Sequence, residues 1–262
     1  MSLIRADKFL TDRGVAESRT RAAELIRSGV VRINGKIISK PATMVPKHSP
    51  FTVEKSEPDY ASRGAHKLVQ ALDEFNISCK GIVALDCGAS TGGFTDVMLR
   101  RGATKVYAVD VGYGQLHWSL RNDERVVVME RTNLRTMPGE QVEDGLDLVT
   151  LDMSFISLKL ILEKVRGMLK TTGSIVALIK PQFEAGRGNV GSGGVVRDPE
   201  IHRKVLLDMT QWCLEHGFKV KDMTSSPIKG PKGNREFLFH LVSGSDIFSD
   251  NHRALMEKAL EK

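Results

Sequence analysis

The run Leu85-Asp86-Cys87-Gly88-Ala89-Ser90-Thr91-Gly92-Gly93-Phe94 decides how the rest of the chain is read. An apolar segment, Ile82–Asp86, enters a glycine-rich turn, and an amphipathic segment, Gly93–Arg101, leaves it. Glycines there let the backbone pass close to a ligand, and the turn presents amide groups at the start of a helix. A dinucleotide site prefers Gly-x-Gly-x-x-Gly, but Ser90 takes the place of the middle glycine, and Asp86 would set a carboxylate beside a pyrophosphate. A cationic cofactor without phosphate suits that carboxylate better. The next apolar segment, Lys105–Asp110, also ends in an acid, where a carboxylate reaches a ribose diol. Asp86, Gly88, Ala89, Ser90, Thr91, Gly92, Gly93, Phe94 and Asp110 are therefore the expected contacts of S-adenosyl-L-methionine. The bland alternative is a tight turn kept for packing alone.

Outward from this turn, apolar and amphipathic segments alternate. A helix carrying Leu68, Val69, Ala71, Leu72 and Phe75 precedes it. Further strands are expected at Val126–Met129, Leu146–Leu151, Ser174–Lys180, Phe218–Met223 and Glu236–Val242, and helices at Leu158–Leu169 and Glu200–His216. That alternation predicts an α/β fold: a Rossmann-like domain of the class I methyltransferase type, with a doubly wound, mostly parallel, seven-stranded sheet. Two of these strands run into charge where a buried sheet prefers apolar residues, Leu151 into Asp152 and Ile179 into Lys180. Ligands of open α/β sheets bind outside the carboxyl ends of the strands. Either charge alone would pass for a solvated strand end; two of opposite sign on adjacent strands mark an active-site edge. Phe155, three residues beyond Asp152, reads as core or as a wall on which a base stacks.

The front of the chain is different in charge and pattern. Net charge is +6, and residues 1–53 hold the whole excess, with ten Lys/Arg against four Asp/Glu. Asp7-Lys8-Phe9-Leu10 opens a helix that stops at Gly14, and Ser18 is placed to cap a second over Arg19–Arg27. Asn34-Gly35 between Val30–Ile33 and Lys36–Ile38 is a hairpin signal, and Phe51–Val53 adds a strand. Residues 1–55 thus form a small α+β domain, 56–62 a linker, and 63–262 the larger domain, the short charged run Glu54–Asp59 with its proline marking the join. Arg5, Lys8, Arg19, Arg21, Arg27 and Lys36 are expected to lie along phosphates, giving salt-dependent affinity with little base readout.

Glu184–Val196 holds Gly186, Gly188, Gly191, Gly193 and Gly194 directly after the Lys180 strand. A segment so rich in glycine is expected to be a lid that orders over RNA, with Arg187 and Arg197 on phosphates, or else a tolerated insertion. Cys79, Cys87 and Cys213 are too scattered for a disulfide framework or a zinc site, and the seven histidines show no ligand spacing, so no metal is expected. No apolar run is long enough to span a bilayer and no secretory signal is read, which predicts a reduced, cytoplasmic protein without a membrane partner.

Ser18-Arg19-x-x-Ala22 through Ser28-Gly29-x-Val31-x-Ile33-Asn34-Gly35 resembles the RNA-binding domain of the fourth small-subunit ribosomal protein. Arg63-Gly64-Ala65-His66-Lys67-Leu68, the Asp86–Phe94 turn, Asp152, Lys180 and Gly233-Asn234-Arg235-Glu236-Phe237 together resemble the TlyA family. These are ribosomal RNA 2′-O-methyltransferases, also labelled haemolysins, with an FtsJ-like catalytic domain. The resemblance implies a catalytic Lys-Asp-Lys-Glu set at Lys67, Asp152, Lys180 and Glu236, and cytidine in ribosomal RNA or ribosomal subunits as the target. In the chemistry it implies, Lys180 accepts the hydroxyl proton and Lys67 favours its neutral form by like-charge repulsion. Asp152 positions Lys180, and Glu236 orients Lys67 and the ribose. The sequence departs from many FtsJ-like enzymes at Ser90-Thr91, where those carry a proline. Two alternatives stay open: a base N-methyltransferase on the same scaffold, whose two prolines are missing after Asp152, and a membrane-active haemolysin, which needs an apolar or amphipathic membrane segment.

Overall fold

The computed structural model describes residues 3–16, 18–27, 29–53, 60–142 and 144–262, without the side chains of Arg21, Glu24 and Arg187. Backbone contacts divide the chain into two units, Met1–Asp59 and Tyr60–Lys262.

In the first unit β1 (Leu3–Arg5) leads into α1 (Ala6–Asp12), and α2 (Arg19–Arg27) follows. Then come β2 (Val31–Ile33), β3 (Lys36–Ile37), β4 (Met44–Pro46) and β5 (Phe51–Val53). Asn34 and Gly35 turn the chain with φ of 53° and 76°, the paired left-handed geometry that suits a two-residue hairpin. The strands form two sheets rather than one: β3-β2-β5, and a separate antiparallel pair of β1 with β4. Phe9, Leu10, Ala22, Ile26, Val31, Ile33 and Val45 bury together as the core. Residues 54–59, where most of the linker is expected, lie outside the described residues.

The second unit starts with Tyr60–Ser62 packed on a helix of its own domain, Ala61 donating its amide to Asp96 at 2.9 Å. Its elements are α3 (Ala65–Glu74), β6 (Val83–Cys87), α4 (Gly93–Arg100), β7 (Lys105–Val109), α5 (Trp118–Arg121), β8 (Val126–Met129) and β9 (Leu146–Leu151). There follow α6 (Lys159–Arg166), β10 (Leu169–Ile179), α7 (Pro181–Glu184), α8 (Pro199–Glu215), β11 (Phe218–Ser225), β12 (Phe237–Ser243) and α9 (Asp250–Glu261). Seven strands form one sheet in the order β11-β12-β10-β9-β6-β7-β8. Five run parallel from β10 to β8, and β12 lies antiparallel between β10 and β11. The strand order reverses between β6 and β9, which is where such sheets open a crevice.

Alternation along the strands explains the two layers. Leu85, Val149, Ile175, Ile179, Phe237 and Phe239 face one cluster with Leu162, Leu206 and Met209. Their neighbours Ala84, Leu148, Val176, Leu178 and Leu238 face the other, with Leu68, Leu72, Val97 and Met98. Burial on both faces is why these strands read as nearly continuous apolar runs.

Several elements of the second unit differ from the sequence reading, among them the short helices α5 and α7, which it does not contain. Helix α6 ends at Arg166, not Leu169, because Leu169 already pairs with Leu146 at the start of β10. The register then shifts before Ser174, and a Cβ on Gly173 would stand 2.8 Å from the Leu146 carbonyl oxygen. Helix α9, which packs on β11 and α8, was not anticipated.

Candidate active site

The turn after β6 is shaped by what crowds it. Gly88 has φ of 82°, and a Cβ there would lie 2.6 Å from the Asp152 carbonyl oxygen. The ends of β6 and β9 therefore touch only because residue 88 has no side chain; the Asp152 amide donates to the Cys87 carbonyl at 3.0 Å. A Cβ on Gly93 would lie 2.3 Å from Ser62 Oγ, so α4 starts directly beneath the 60–62 segment.

Asp86 is fully buried and already holds three donors. Thr95 donates its amide at 2.9 Å and its hydroxyl at 2.7 Å to one oxygen, and Thr150 its hydroxyl at 2.9 Å to the other. Burial pushes the carboxyl up to about 6, against the pull of those hydrogen bonds. In this structure Asp86 braces the turn from below. Asp110 accepts from the amides of Ser90 at 2.8 Å and Gly112 at 2.7 Å, tying the end of β7 to the glycine turn.

Several cavities open along the carboxyl edge of the sheet, and three of them are lined by the expected site residues. One of about 270 Å³ is bounded by Gly88, Ser90, Asp110, Val111, Gln115, Asp152 and Phe155. A second, about 240 Å³, runs along Ser62, Gly64, Asp86, Ala89, Thr91, Gly93 and Phe94, and shares Gly88, Ser90 and Asp152 with the first. Every expected cofactor contact except Gly92 lines one or both. A third, about 280 Å³, lies beyond Ser154 and Phe155 and is lined by Lys180, Gln182, Phe183, Lys232, Asn234 and Glu236.

The four residues of the implied catalytic set form two ion pairs. Lys180 Nζ lies 2.5 Å from Asp152 Oδ1 and donates to Ser154 Oγ at 3.0 Å. Lys67 Nζ, from α3, lies 2.6 Å from Glu236 Oε2, where the carboxylate is 1% exposed. A Cβ on Gly230 would stand 2.5 Å from Glu236 Oε1, so the backbone closes tightly on that carboxylate. Each lysine is balanced by its own acid, an arrangement that spacing alone did not reveal. Ser154 and Asn234 belong to this edge and were not singled out as site residues; both stand beside residues that were. Phe155 is 86% exposed with φ of 69°, a left-handed conformation costly for an aromatic residue, and its ring centroid is 5.4 Å from that of Phe183. It is therefore not core.

The glycine-rich segment is folded. Glu184 accepts from Ser157 Oγ at 2.6 Å and the Leu158 amide at 2.8 Å, so it caps the approach to α6. Two short 3-10 turns, Arg187–Asn189 and Ser192–Gly194, follow.

In the first unit Arg5 and Arg19 converge on one carboxylate, Asp7, at 2.7 and 3.2 Å. Hydrogen bonds from Arg5, then from Arg19, hold that carboxyl well below the usual range. Lys8 pairs with Asp12 at 3.0 Å, and Arg27 and Lys36 are exposed. These expected phosphate contacts are thus partly held by acids on the same face. The side chains of Arg21 and Arg187 lie outside the described residues. Among the described residues no cluster of His, Cys, Asp and Glu could hold a metal ion, and no helix is long and apolar enough to cross a membrane.

Comparison with known proteins places this geometry. Residues 60–243 match the FtsJ-like methyltransferase family and residues 4–49 the S4 domain. The chain is 49% identical over 258 residues to the 16S/23S rRNA (cytidine-2′-O)-methyltransferase TlyA of Mycobacterium tuberculosis, covering 98% of this chain and 94% of that one. It is 42% identical over 241 residues to Hemolysin A of Brachyspira hyodysenteriae, covering 91% and 100%. A solved Streptococcus thermophilus protein with a provisional hemolysin name superposes with a TM-score of 0.75 at 41% identity, covering 100% and 96%.

Proposed function

Because this chain belongs to the TlyA family of FtsJ-like methyltransferases, we propose that it methylates a ribose 2′-hydroxyl of ribosomal RNA. Cytidine is the target nucleoside that the relatives' names give. Ribosomal subunits in the cytoplasm would be where it meets that RNA. The observation that carries the reading is the Lys180–Asp152 pair, 2.5 Å apart at the strand ends where the cofactor cavities meet the third cavity.

The residues of the first two cavities fit S-adenosylmethionine. The carboxylates Asp86, Asp110 and Asp152 oppose a phosphate but suit a sulfonium, and Gly88, which lines both cavities, brings the Asp152 strand end close to the glycine turn. When bound, S-adenosylmethionine supplies an electrophilic methyl group on a positively charged sulfur.

Once it has given up its own proton, Lys180 as the neutral amine accepts the proton of the 2′-hydroxyl as that oxygen attacks, and Asp152 stabilises the ammonium so formed. Ser154 Oγ, at 3.0 Å, fixes where the lysine nitrogen points. Glu236, which lines the third cavity, holds Lys67 and orients the ribose. Phe155 and Phe183 offer the target base a stacking surface, which holds the hydroxyl in line with the methyl group; such positioning supplies much of the rate.

Mass spectrometry of nucleosides from rRNA incubated with enzyme and cofactor tests this directly, and 2′-O-methylcytidine is the expected product. Lys180→Ala should lower turnover by about 10²–10⁴ with cofactor affinity unchanged. Lys180→Arg should do no better, since arginine keeps its proton. Substantial activity in Lys180→Arg, or a base-methylated product, would sink the assignment.

A further inference from the structure

Asn234 lies two residues before Glu236, is 2% exposed, and spends its side chain on the glycine-rich segment rather than on the catalytic pairs. Its Oδ1 accepts from the Val196 amide at 2.9 Å, and its Nδ2 donates to the Gly194 carbonyl at 2.9 Å. One bond needs the oxygen and the other the nitrogen, so the amide has one orientation. On the other side of Val196, His202 Nε2 lies 3.1 Å from the carbonyl oxygen. The backbone of Asn234 closes its own turn, its carbonyl accepting from the Gly230 amide at 2.9 Å. Gly230 is also the residue packed against Glu236 Oε1. One side chain thus joins the far end of the 184–196 segment to the turn that carries Glu236. Both partners of the join face the same space: Val190, Gly194, Lys232, Asn234 and Glu236 all line the third cavity.

We propose that Asn234 is a positioning residue that latches the 190–196 segment to the Glu236 turn, so that the wall of the RNA-accepting cavity stands formed before RNA arrives. The proposal rests on the reading of that cavity as the acceptor site. The residue touches neither reacting atom; it acts through Gly194 and Val196. A wall ordered in advance spares the RNA the cost of ordering it, so the latch acts on RNA binding and leaves the chemical step alone. Val195 and Val196 bury their side chains at the far end of the segment, but the glycines before them have none to bury, and the two hydrogen bonds to a buried amide hold the backbone where the one passes into the other. Nothing in the latch reaches Asp86, Gly88 or Asp110, so cofactor binding is independent of it.

The experiment compares full-length wild type, Asn234→Ala and Asn234→Asp. Asn234→Ala removes both bonds. Asn234→Asp keeps an acceptor for Val196 but turns a second acceptor toward the Gly194 carbonyl, so it should be at least as damaging. Steady-state methylation of an rRNA fragment should show KM for RNA raised about tenfold in both variants, the size expected for two lost hydrogen bonds, with kcat within about twofold of wild type. Calorimetry should show unchanged S-adenosylmethionine affinity. Hydrogen exchange at the Val196 amide should quicken about tenfold or more, while amides of β6 and β9 keep their protection. An unchanged RNA KM with faster Val196 exchange overturns the role in RNA binding. Unchanged exchange overturns the latch itself, as does a general loss of protection, which would make Asn234 only a fold residue. The exchange measurement needs no methylation, so it judges the latch even where the reaction assignment fails.

Discussion

A methyl group added at Gly88 would stand 2.6 Å from the Asp152 carbonyl oxygen, and one at Gly93 would stand 2.3 Å from Ser62 Oγ. Added at Gly186, Gly188 or Gly193, it would meet nothing within 4 Å. Both glycine-rich segments follow a strand into the same edge of the sheet, yet they use glycine differently. In the β6 turn the neighbours require it: a backbone oxygen of the next strand occupies the space a side chain would need. In the segment after α7 the requirement is local: φ is positive at Gly186, Gly193 and Gly194, the Val195 carbonyl oxygen stands 3.0 Å from a Cβ at Gly191, and at Gly188 neither applies. Composition alone shows two similar stretches. One is a close contact between strands, and the other is a length of chain held from outside by Asn234.

The contrast can be broken most severely at Gly88. Gly88→Ala should lower S-adenosylmethionine affinity by on the order of a hundredfold or more, because the clash is with backbone that cannot rotate away. Near-normal calorimetric binding by that variant would erase the distinction between the segments. Next in size is Asp86, the buried brace of the turn. Its folded-state pKa lies near 6, above the ordinary carboxylate value, so the folded protein keeps a proton that the unfolded chain has released. Its contribution to stability is therefore complete below the ordinary carboxylate range and is lost as pH rises through about 6. Asp86→Asn should flatten that part of the curve of thermal midpoint against pH. Parallel curves for variant and wild type would remove the brace from the account. A smaller effect is expected at Gly193, where φ is 76°. Gly193→Ala should cost about 1 kcal/mol by thermal unfolding without altering cofactor affinity. The smallest is at Gly188, which has open space and no positive φ: Gly188→Ala should leave stability within about 0.5 kcal/mol of wild type or raise it slightly.

Much of this architecture was legible because burial on two faces leaves long apolar runs in the sequence. Val126–Met129 and Leu146–Leu151 were read to the residue, and β6, β7 and β12 to within one. What stayed hidden depends on partners remote in sequence. The three-residue strands β1 and β4 are too short for a pattern, and their pairing spans some forty residues. Helix α9 opens on the polar run Asp250-Asn251-His252-Arg253 and is held partly by Arg235, which donates to the carbonyls of Ala259 and Leu260 at its end. The charged strand ends Asp152 and Lys180 announce a site, but only the family resemblance assigns an acid to each lysine, since nothing local joins Lys67 to a carboxylate 169 positions away. The glycine-rich segment was expected to be a lid, since its composition is that of a loose chain and the residue that fixes it lies about forty positions away.

One strand of the sheet runs against the others, and Glu236 stands immediately before it. Because β12 is antiparallel to β10, its first residues sit at the edge where the parallel strands end. A segment made late in the chain thereby enters the site head first. Every residue that lines the first two cavities precedes position 156, and the first lysine–acid pair is complete at residue 180. The acid of Lys67 comes only with the penultimate stretch, 169 positions after the lysine it holds. The edge that carries both lysine–acid pairs is thus closed by a residue 169 positions from the one it holds.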